Sequence, residues 1–340
     1  LVDNRYSRQT LFEPIGMEGQ KKLADSHVLI IGIGALGSSS AEMLARAGVG
    51  KLTLIDRDYV EASNLQRQQL FTERDAEERT PKAIAAKRRL ELVNSHIAIE
   101  ALVEDAGVEE LEKLVPSVDL IMDATDNFDT RLILNDISQK HQKPWIYGGC
   151  VASYGITFTV LPGVTPCFHC LLDHIPSDGA TCDTVGIISP TVQMVVAHQM
   201  TEALKILTNN SEALSGKLIG FDLWKNQRME IDVKKLKDQQ CPSCVMGEYP
   251  NLTYDAQMKT AVLCGRDTVQ IRVNHRESVN LDQLCSHLSQ NSDLHVTKNP
   301  FLISFEVHNY RIVIFKDGRT FIHGTKDIKA AKKLYYQYVG

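Results

Sequence analysis

Residues 27–37 read HVLIIGIGALG, an unbroken apolar run that ends in glycines at 32, 34 and 37. This segment narrows the fold more than any other. A run with no polar alternation suits a strand buried on both faces of a parallel sheet. G-x-G-x-x-G directly after such a strand, leading into an Ala-rich helical stretch at about 36–47, predicts the turn that sets a phosphate on a helix N-terminus. Gly32 permits the tight turn, Gly34 lets a phosphate approach the backbone, and Gly37 allows helix and strand to pack closely. LTLID (52–56) predicts a second strand. Asp56 ends it, 19 residues past Gly37, where a carboxylate can accept bonds from ribose hydroxyls.

Further strands are expected at 97–103, 119–123 and 144–148, and later ones at 155–163 and 217–233. A helix is expected to open at Thr80-Pro81, with Thr as N-cap and Pro as first helical residue. The apolar stretch 189–207 predicts a helix for a core or a subunit interface. This alternation predicts an α/β fold with a doubly wound, mostly parallel, Rossmann-like sheet. A break falls at 247–253 (GEYPNLT). Beyond it the period-2 runs VQIRV, LISFEV, YRIVIF and RTFIHG predict strands, and 282–289 and 326–338 predict helices. The 340 residues therefore divide into a nucleotide-binding domain at 1–247 and a small α+β domain at 254–340.

The glycines alone do not choose between ATP and NAD. The next segment, IDRDYVEASNLQRQQLF, adds Asp58, Asn64, Arg67 and Gln68. A dehydrogenase has no use for a polar cluster there, whereas a triphosphate does: Arg forks onto phosphate oxygens and Asn donates to them. Lys82 follows on the first turn of a predicted helix, and Asp126 in DATDN falls at the C-terminal edge of the sheet, where a carboxylate could hold Mg²⁺. Two alternatives compete. A nicotinamide-dependent dehydrogenase leaves Asn64, Arg67 and Lys82 unexplained, and a non-catalytic scaffold for a ubiquitin-like protein would not need the full set of nucleotide contacts.

A net charge of -5 gives no global attraction to nucleic acid or anionic membrane. No apolar run approaches the roughly 20 residues of a membrane helix. The N-terminus, LVDNRYSRQT, does not read as a signal peptide, so a cytoplasmic location is expected. Four of the eight cysteines form two C-x-x-C pairs, Cys167/Cys170 and Cys241/Cys244, a spacing that predicts a closed tetrahedral Zn²⁺ site.

G-x-G-x-x-G, LID-x-D, SNLQRQ, Pro81-Lys82-Ala83, DATDN, the paired cysteines and the opening RYSRQ together resemble the E1-like activating-enzyme family, in its MoeB/ThiF-type adenylyltransferase branch. The resemblance covers about residues 4–247. It implies that Asp56 binds ribose, that Asn64, Arg67 and Lys82 bind ATP phosphates, and that Asp126 serves Mg²⁺. It further implies a homodimer in which Arg8 reaches the partner's triphosphate. The substrate implied is a small ubiquitin-like sulfur carrier, MoaD- or ThiS-like, ending in Gly-Gly. Its adenylate would then take sulfur from a donor such as a cysteine desulfurase, for molybdopterin or thiamin-thiazole synthesis. Cys182, in GATCDTVG, aligns with a cysteine position of the family and is a candidate nucleophile. The last ~90 residues resemble an extension of some members and not a rhodanese domain, because Cys264 in CGRDTVQ lacks that domain's active loop.

Overall fold

The computed structural model describes residues 4–172, 185–253, 260–262, 267–271, 279–290 and 294–339. Cys182 and Cys264 lie outside the described residues. The chain forms two compact units, 1–77 with 81–256 and 78–80 with 257–340.

The first unit holds strands β1 (His27–Ile31), β2 (Lys51–Ile55), β3 (Ala98–Leu102), β4 (Leu120–Asp123), β5 (Trp145–Val151), β6 (Tyr154–Val160), β7 (Lys217–Asp222) and β8 (Gln227–Asp232). Its helices are α1 (Ser7–Thr10), α2 (Gly16–Asp25), α3 (Ala35–Ala47), α4 (Glu73–Glu77), α5 (Lys82–Val93), α6 (Val108–Leu114), α7 (Phe128–His141), α8 (Phe168–Leu171) and α9 (Ser189–Leu207). The sheet order is β3-β2-β1-β4-β5-β6-β7-β8. Pairing is parallel from β3 to β5 and antiparallel from β5 to β8. Along β1, Val28 and Ile30 join one apolar cluster and Leu29 and Ile31 the other, which is why the run shows no alternation. Val192, Val195, Val196, Met200 and Ala203 of α9 cover one face, and Leu134 and Ile137 of α7 cover the opposite one. The chain winds outward from β1 to β2 and β3, then returns to β4 on the other side. That reversal opens a crevice above the carboxyl ends of β1 and β4, the place where such sheets bind ligands.

One helix start differs from expectation. Pro81 is not the first helical residue; it is the N-cap, with an extended ψ of 136°, and bridges to Tyr59. The bridge holds the chain beside the segment after β2, so the backbone N–H of Lys82, now first in α5, donates to Asp58 O at 2.9 Å.

In the second unit the sheet order is β11-β12-β13-β14-β10-β9, all antiparallel. Its strands are β9 (Thr260–Val262), β10 (Thr268–Ile271), β11 (Thr297–Lys298), β12 (Leu302–Val307), β13 (Tyr310–Phe315) and β14 (Thr320–His323), with helices α10 (Leu281–Leu288) and α11 (Ile328–Tyr338). Ile303, Phe305, Ile312, Ile314 and Ile322 on one sheet face pack with Leu281, Leu288, Ala331 and Leu334. The period-2 runs pair residue for residue, Leu302 opposite Phe315 through Val307 opposite Tyr310. Strands β9 and β11 are too short for periodicity to signal.

Candidate active site

The three glycines of the β1–α3 turn do different work. Gly32 has φ +85°, and a Cβ there would lie 2.7 Å from Ala124 O. A Cβ on Gly37 would lie 1.8 Å from Gly32 O, so helix and turn touch backbone to backbone. Gly34, the N-cap of α3, is different: the nearest atom to a Cβ there is Gln68 Nε2 at 3.7 Å. Space is left at the one glycine where a phosphate would approach the helix N-terminus.

Asp56 is buried and fixes this turn from β2. Its Oδ2 accepts the Ile33 N–H at 2.5 Å and its Oδ1 accepts the Asp58 N–H at 2.6 Å. Burial pushes its carboxyl above the ordinary 3.8, against the pull of the Lys82 ammonium. Lys82 is itself buried, with Nζ 3.2 Å from Asp58 Oδ2. Its basic side chain is thus held beside the turn by Asp58.

Sequence reasoning missed the groups that shape the rest of the crevice. Arg57 Nη1 lies 3.3 Å from Asp105 Oδ1, tying the end of β2 to the segment after β3. Burial opposes its charge, yet the carboxylates of Asp105, Asp58, Asp126 and Asp56 hold its guanidinium above the ordinary value. Asp126 follows β4 and Arg57 follows β2, so a charge felt between them reaches across the end of β1. Asp123 is fully buried at the end of β4. Its Oδ1 accepts from Thr125 N–H at 2.9 Å and Thr125 Oγ1–H at 2.7 Å, and its Oδ2 from Arg131 Nε at 3.0 Å. Arg131 also donates to Thr125 O and, at 3.0 Å, to Gly148 O. From the opposite sheet face, Gln199 Nε2 donates to Asp123 O at 3.0 Å and Ile146 O at 3.2 Å. The DATDN loop is thus pinned on both sides, and Asn127 Oδ1 caps α7 through the Thr130 N–H at 2.8 Å. The available signal was an arginine one turn inside a helix whose N-cap is the Asn of DATDN.

Asp126 itself is exposed at this edge. Asn64 is buried, and its side-chain oxygen accepts the Glu61 N–H at 3.1 Å, which leaves its amide nitrogen for a ligand. Arg67 is partly exposed and Nη1 donates to Ser63 O at 2.9 Å. Gln68 is buried beside Gly34, and its Oε1 has no hydrogen-bond partner among the described residues. Arg8 is exposed on α1. That helix is anchored at the far end of α3: Gln9 Nε2 donates to Ala47 O at 2.9 Å, and the Tyr6 ring covers Gly48. The 13 residues of α3 span about 20 Å, which separates Arg8 from the phosphate end of its own α3.

The four cysteines converge. Sγ–Sγ distances are 3.8 Å for Cys167–Cys170, 3.6 Å for Cys167–Cys241 and 3.7 Å for Cys170–Cys244. Thiolates about 2.3 Å from a tetrahedral zinc stand about 3.8 Å apart, so the set fits that ion. Crowding splits the thiols: the hydrogen bond from Cys167 lowers Cys170 to about 5, while burial raises Cys244 to about 12.

No helix among the described residues is long and apolar enough to cross a membrane. Residues 6–243 match the ThiF family. The chain is 53% identical over 339 residues to the sulfur carrier protein ThiS adenylyltransferase of Bacillus subtilis (strain 168), covering 100% of both chains. It is 36% identical over 244 residues to the molybdopterin-synthase adenylyltransferase of Escherichia coli (strain K12), covering 71% of this chain and 95% of the relative. Among solved structures it resembles E. coli MccB with MccA-N7isoASN, with a TM-score of 0.63 and 26% identity over 71% of this chain and 75% of that one. Matched over residues 6–243 and 53% identical to a whole-length relative, the chain belongs to the ThiF family.

Proposed function

We propose that this chain uses ATP to adenylate the C-terminal glycine of a small ubiquitin-like sulfur carrier, ThiS- or MoaD-like, ahead of thiocarboxylate formation for thiamin-thiazole or molybdopterin synthesis. The observation that carries it is the meeting of the open Gly34 cradle, Asp56 and Lys82 at one sheet edge, in a chain of the ThiF family. The dehydrogenase and scaffold readings have no comparable support.

The carrier carboxylate is ionised at neutral pH and needs no general base. The barrier is repulsion between that carboxylate and the triphosphate, so the site must neutralise phosphate charge and align the attack on the α-phosphorus. The α3 N-terminus at Gly34 cradles a phosphate, and Lys82 and Arg67 supply cations. Asn64 and Gln68 offer amide contacts beside the turn, while Asp56 and Asp58 serve the ribose side. Asp126, exposed and in the field of Arg57 and Arg131, offers the hard oxygen that Mg²⁺ takes. Bound there, the ion would neutralise polyphosphate charge. Cys167, Cys170, Cys241 and Cys244 would hold Zn²⁺ in a closed structural site.

A homodimer is part of the reading. The ~20 Å of α3 between Arg8 and its own phosphate turn supports service to the partner's site. Exposed Leu11, Phe12 and Met17 beside Arg8 support a covered surface there. We assign adenylation to 1–247 and no role to the small α+β domain at 254–340, with Cys182 as the thiol that receives sulfur from a donor such as a cysteine desulfurase. Four reduced cysteines ready for a metal support a cytoplasmic location. The test is exchange of labelled pyrophosphate into ATP with a carrier ending in Gly-Gly. Arg67→Ala and Asp126→Ala should each lower exchange by about 10²-fold, and near-normal exchange in both would overturn the site. The carrier that supports exchange distinguishes the two pathways.

A further inference from the structure

Midway along α7 stand two adjacent polar side chains that adenylation leaves unused. Asn135 and Asp136 are both fully buried. Asn135 Oδ1 accepts the backbone N–H of Phe168 at 2.8 Å, and Phe168 lies between Cys167 and Cys170. Asp136 Oδ1 accepts the Ser243 hydroxyl at 2.5 Å, and Ser243 lies between Cys241 and Cys244. Asp136 Oδ2 accepts both the backbone N–H and the side-chain amide of Asn251, each at 2.9 Å. Asn135 Nδ2 adds a fourth donor to Asp136 Oδ1 at 3.2 Å. One dipeptide on one helix therefore grips the middle of each cysteine loop and the segment leaving the second.

The donor arithmetic explains why an acid stands here. No cation among the described residues stands against this carboxylate, and such burial is costly, so its retention calls for a reason. Four neutral donors converge on two oxygens, and only an acceptor-only group with four lone-pair sites satisfies them all. An asparagine would bring its own N–H groups into that ring of donors. The two loops are 74 residues apart in sequence, and the clamp ties both to one helix. The Phe168 side chain adds a second hold, with its ring 5.0 Å from Tyr147 and 5.6 Å from Trp145.

We propose that Asn135 and Asp136 are positioning residues of the four-cysteine site, holding its two loops in register so that the sulfurs face one another at metal-binding spacing. This rests on the zinc reading above. The groups that orient metal ligands from behind set affinity almost as strongly as the ligands themselves.

The full-length chain, loaded with Zn²⁺ alone, tests this by competition with a chromogenic chelator. Asp136→Asn should lower zinc affinity by about 10–100-fold, and Ser243→Ala, which removes one donor of four, should shift it less in the same direction. The visible spectrum of the Co²⁺-substituted Asp136→Asn variant should depart from that of the wild type. Its thermal midpoint should fall further in zinc-loaded protein than in chelator-treated protein, which a general loss of buried hydrogen bonds would not produce. Wild-type affinity and an unchanged Co²⁺ spectrum in Asp136→Asn would overturn the proposal, as would equal thermal losses with and without zinc. Should Asp136→Asn fail to fold, unchanged zinc affinity in both Ser243→Ala and Asn251→Ala would overturn it instead. A wild-type chain that takes up no zinc would overturn the zinc reading, and this inference with it.

Discussion

Two glycines five ångströms of helix rise or less apart should fail in opposite ways when each gains one methyl. At Gly37 a Cβ would lie 1.8 Å from Gly32 O and 2.9 Å from its carbonyl carbon. Real contacts begin near 3 Å, so α3 would have to move more than an ångström away from a turn that Asp56 holds through Ile33. Overpacking of this kind costs about 1–3 kcal/mol, and contact with rigid backbone places Gly37→Ala at the upper end. At about 2–4 °C per kcal/mol for a unit of this size, the melting temperature should fall by roughly 6–12 °C. At Gly34 nothing lies within 3.7 Å of an added Cβ and φ is −80°, while the ψ of −142° falls outside the α and β regions. Gly34→Ala therefore loses the small N-cap preference of Gly over Ala and adds a modest backbone cost, about 1–2 kcal/mol together, so it should melt later than Gly37→Ala. The new methyl instead fills the cradle, and loss of one charge-assisted backbone–phosphate bond, about 1.5–3 kcal/mol, should raise KM for ATP by roughly 10- to 150-fold. Circular-dichroism melts and ATP titrations of pyrophosphate exchange, run on both variants, give the comparison. A Gly34→Ala protein that melts as early as Gly37→Ala yet keeps wild-type KM would refute this division of roles.

Breaking the buried Arg131–Asp123 pair with Arg131→Ala leaves a carboxylate with only its Thr125 bonds, so stability should drop by about 3–5 kcal/mol in chemical unfolding; a loss under 1 kcal/mol would contradict the pinning of the DATDN loop. Because burial raises the Asp56 carboxyl above 3.8, the folded chain keeps a proton in that window that the unfolded chain has lost. Stability from this group therefore declines as pH rises through the window, while ATP affinity gains an ionised ribose acceptor. Asp56→Asn should flatten the pH profile of ATP affinity; an unchanged profile would remove Asp56 from the ribose. Arg8→Ala and Lys82→Ala should each be weak alone and regain activity when mixed, since hybrid dimers hold one site with both wild-type groups; no recovery after confirmed subunit exchange would end the trans assignment of Arg8.

What the sequence made legible was chemistry set by short spacing. Gly32, Gly34 and Gly37 act within one turn, and a C-x-x-C pair needs only its own loop to present two sulfurs. The helix at 189–207 was readable because a 19-residue stretch whose apolar residues recur every three or four positions has few other fates. What stayed hidden depends on which strands become neighbours. Arg57 meets Asp105 only because β2 and β3 are adjacent, and Gln199 meets Asp123 O only because α9 crosses the place where β4 and β5 part. Neither partner carries a local signal, since a lone Arg or Gln reads as surface.

Asn64 divides its side chain between two tasks. A buried loop must satisfy its own backbone, so the Asn64 oxygen goes to the Glu61 N–H, and only its nitrogen is left for the phosphate contact that its type suggests. Asp56 meets the same demand differently. Each of its oxygens holds one backbone N–H, of Ile33 and of Asp58, and each retains a further lone pair. The acid therefore builds the turn and keeps acceptor capacity to spare for the ribose that the proposed reading places there. An amide in its place would keep one of those two backbone bonds and turn its nitrogen toward the other donor. Asp56→Asn should thus open the turn as well as weaken ribose binding, and hydrogen exchange at Ile33 and Asp58 separates the two effects. Faster exchange at both amides without nucleotide would show that the turn has loosened; wild-type protection at both would show that Asp56 is not what holds it.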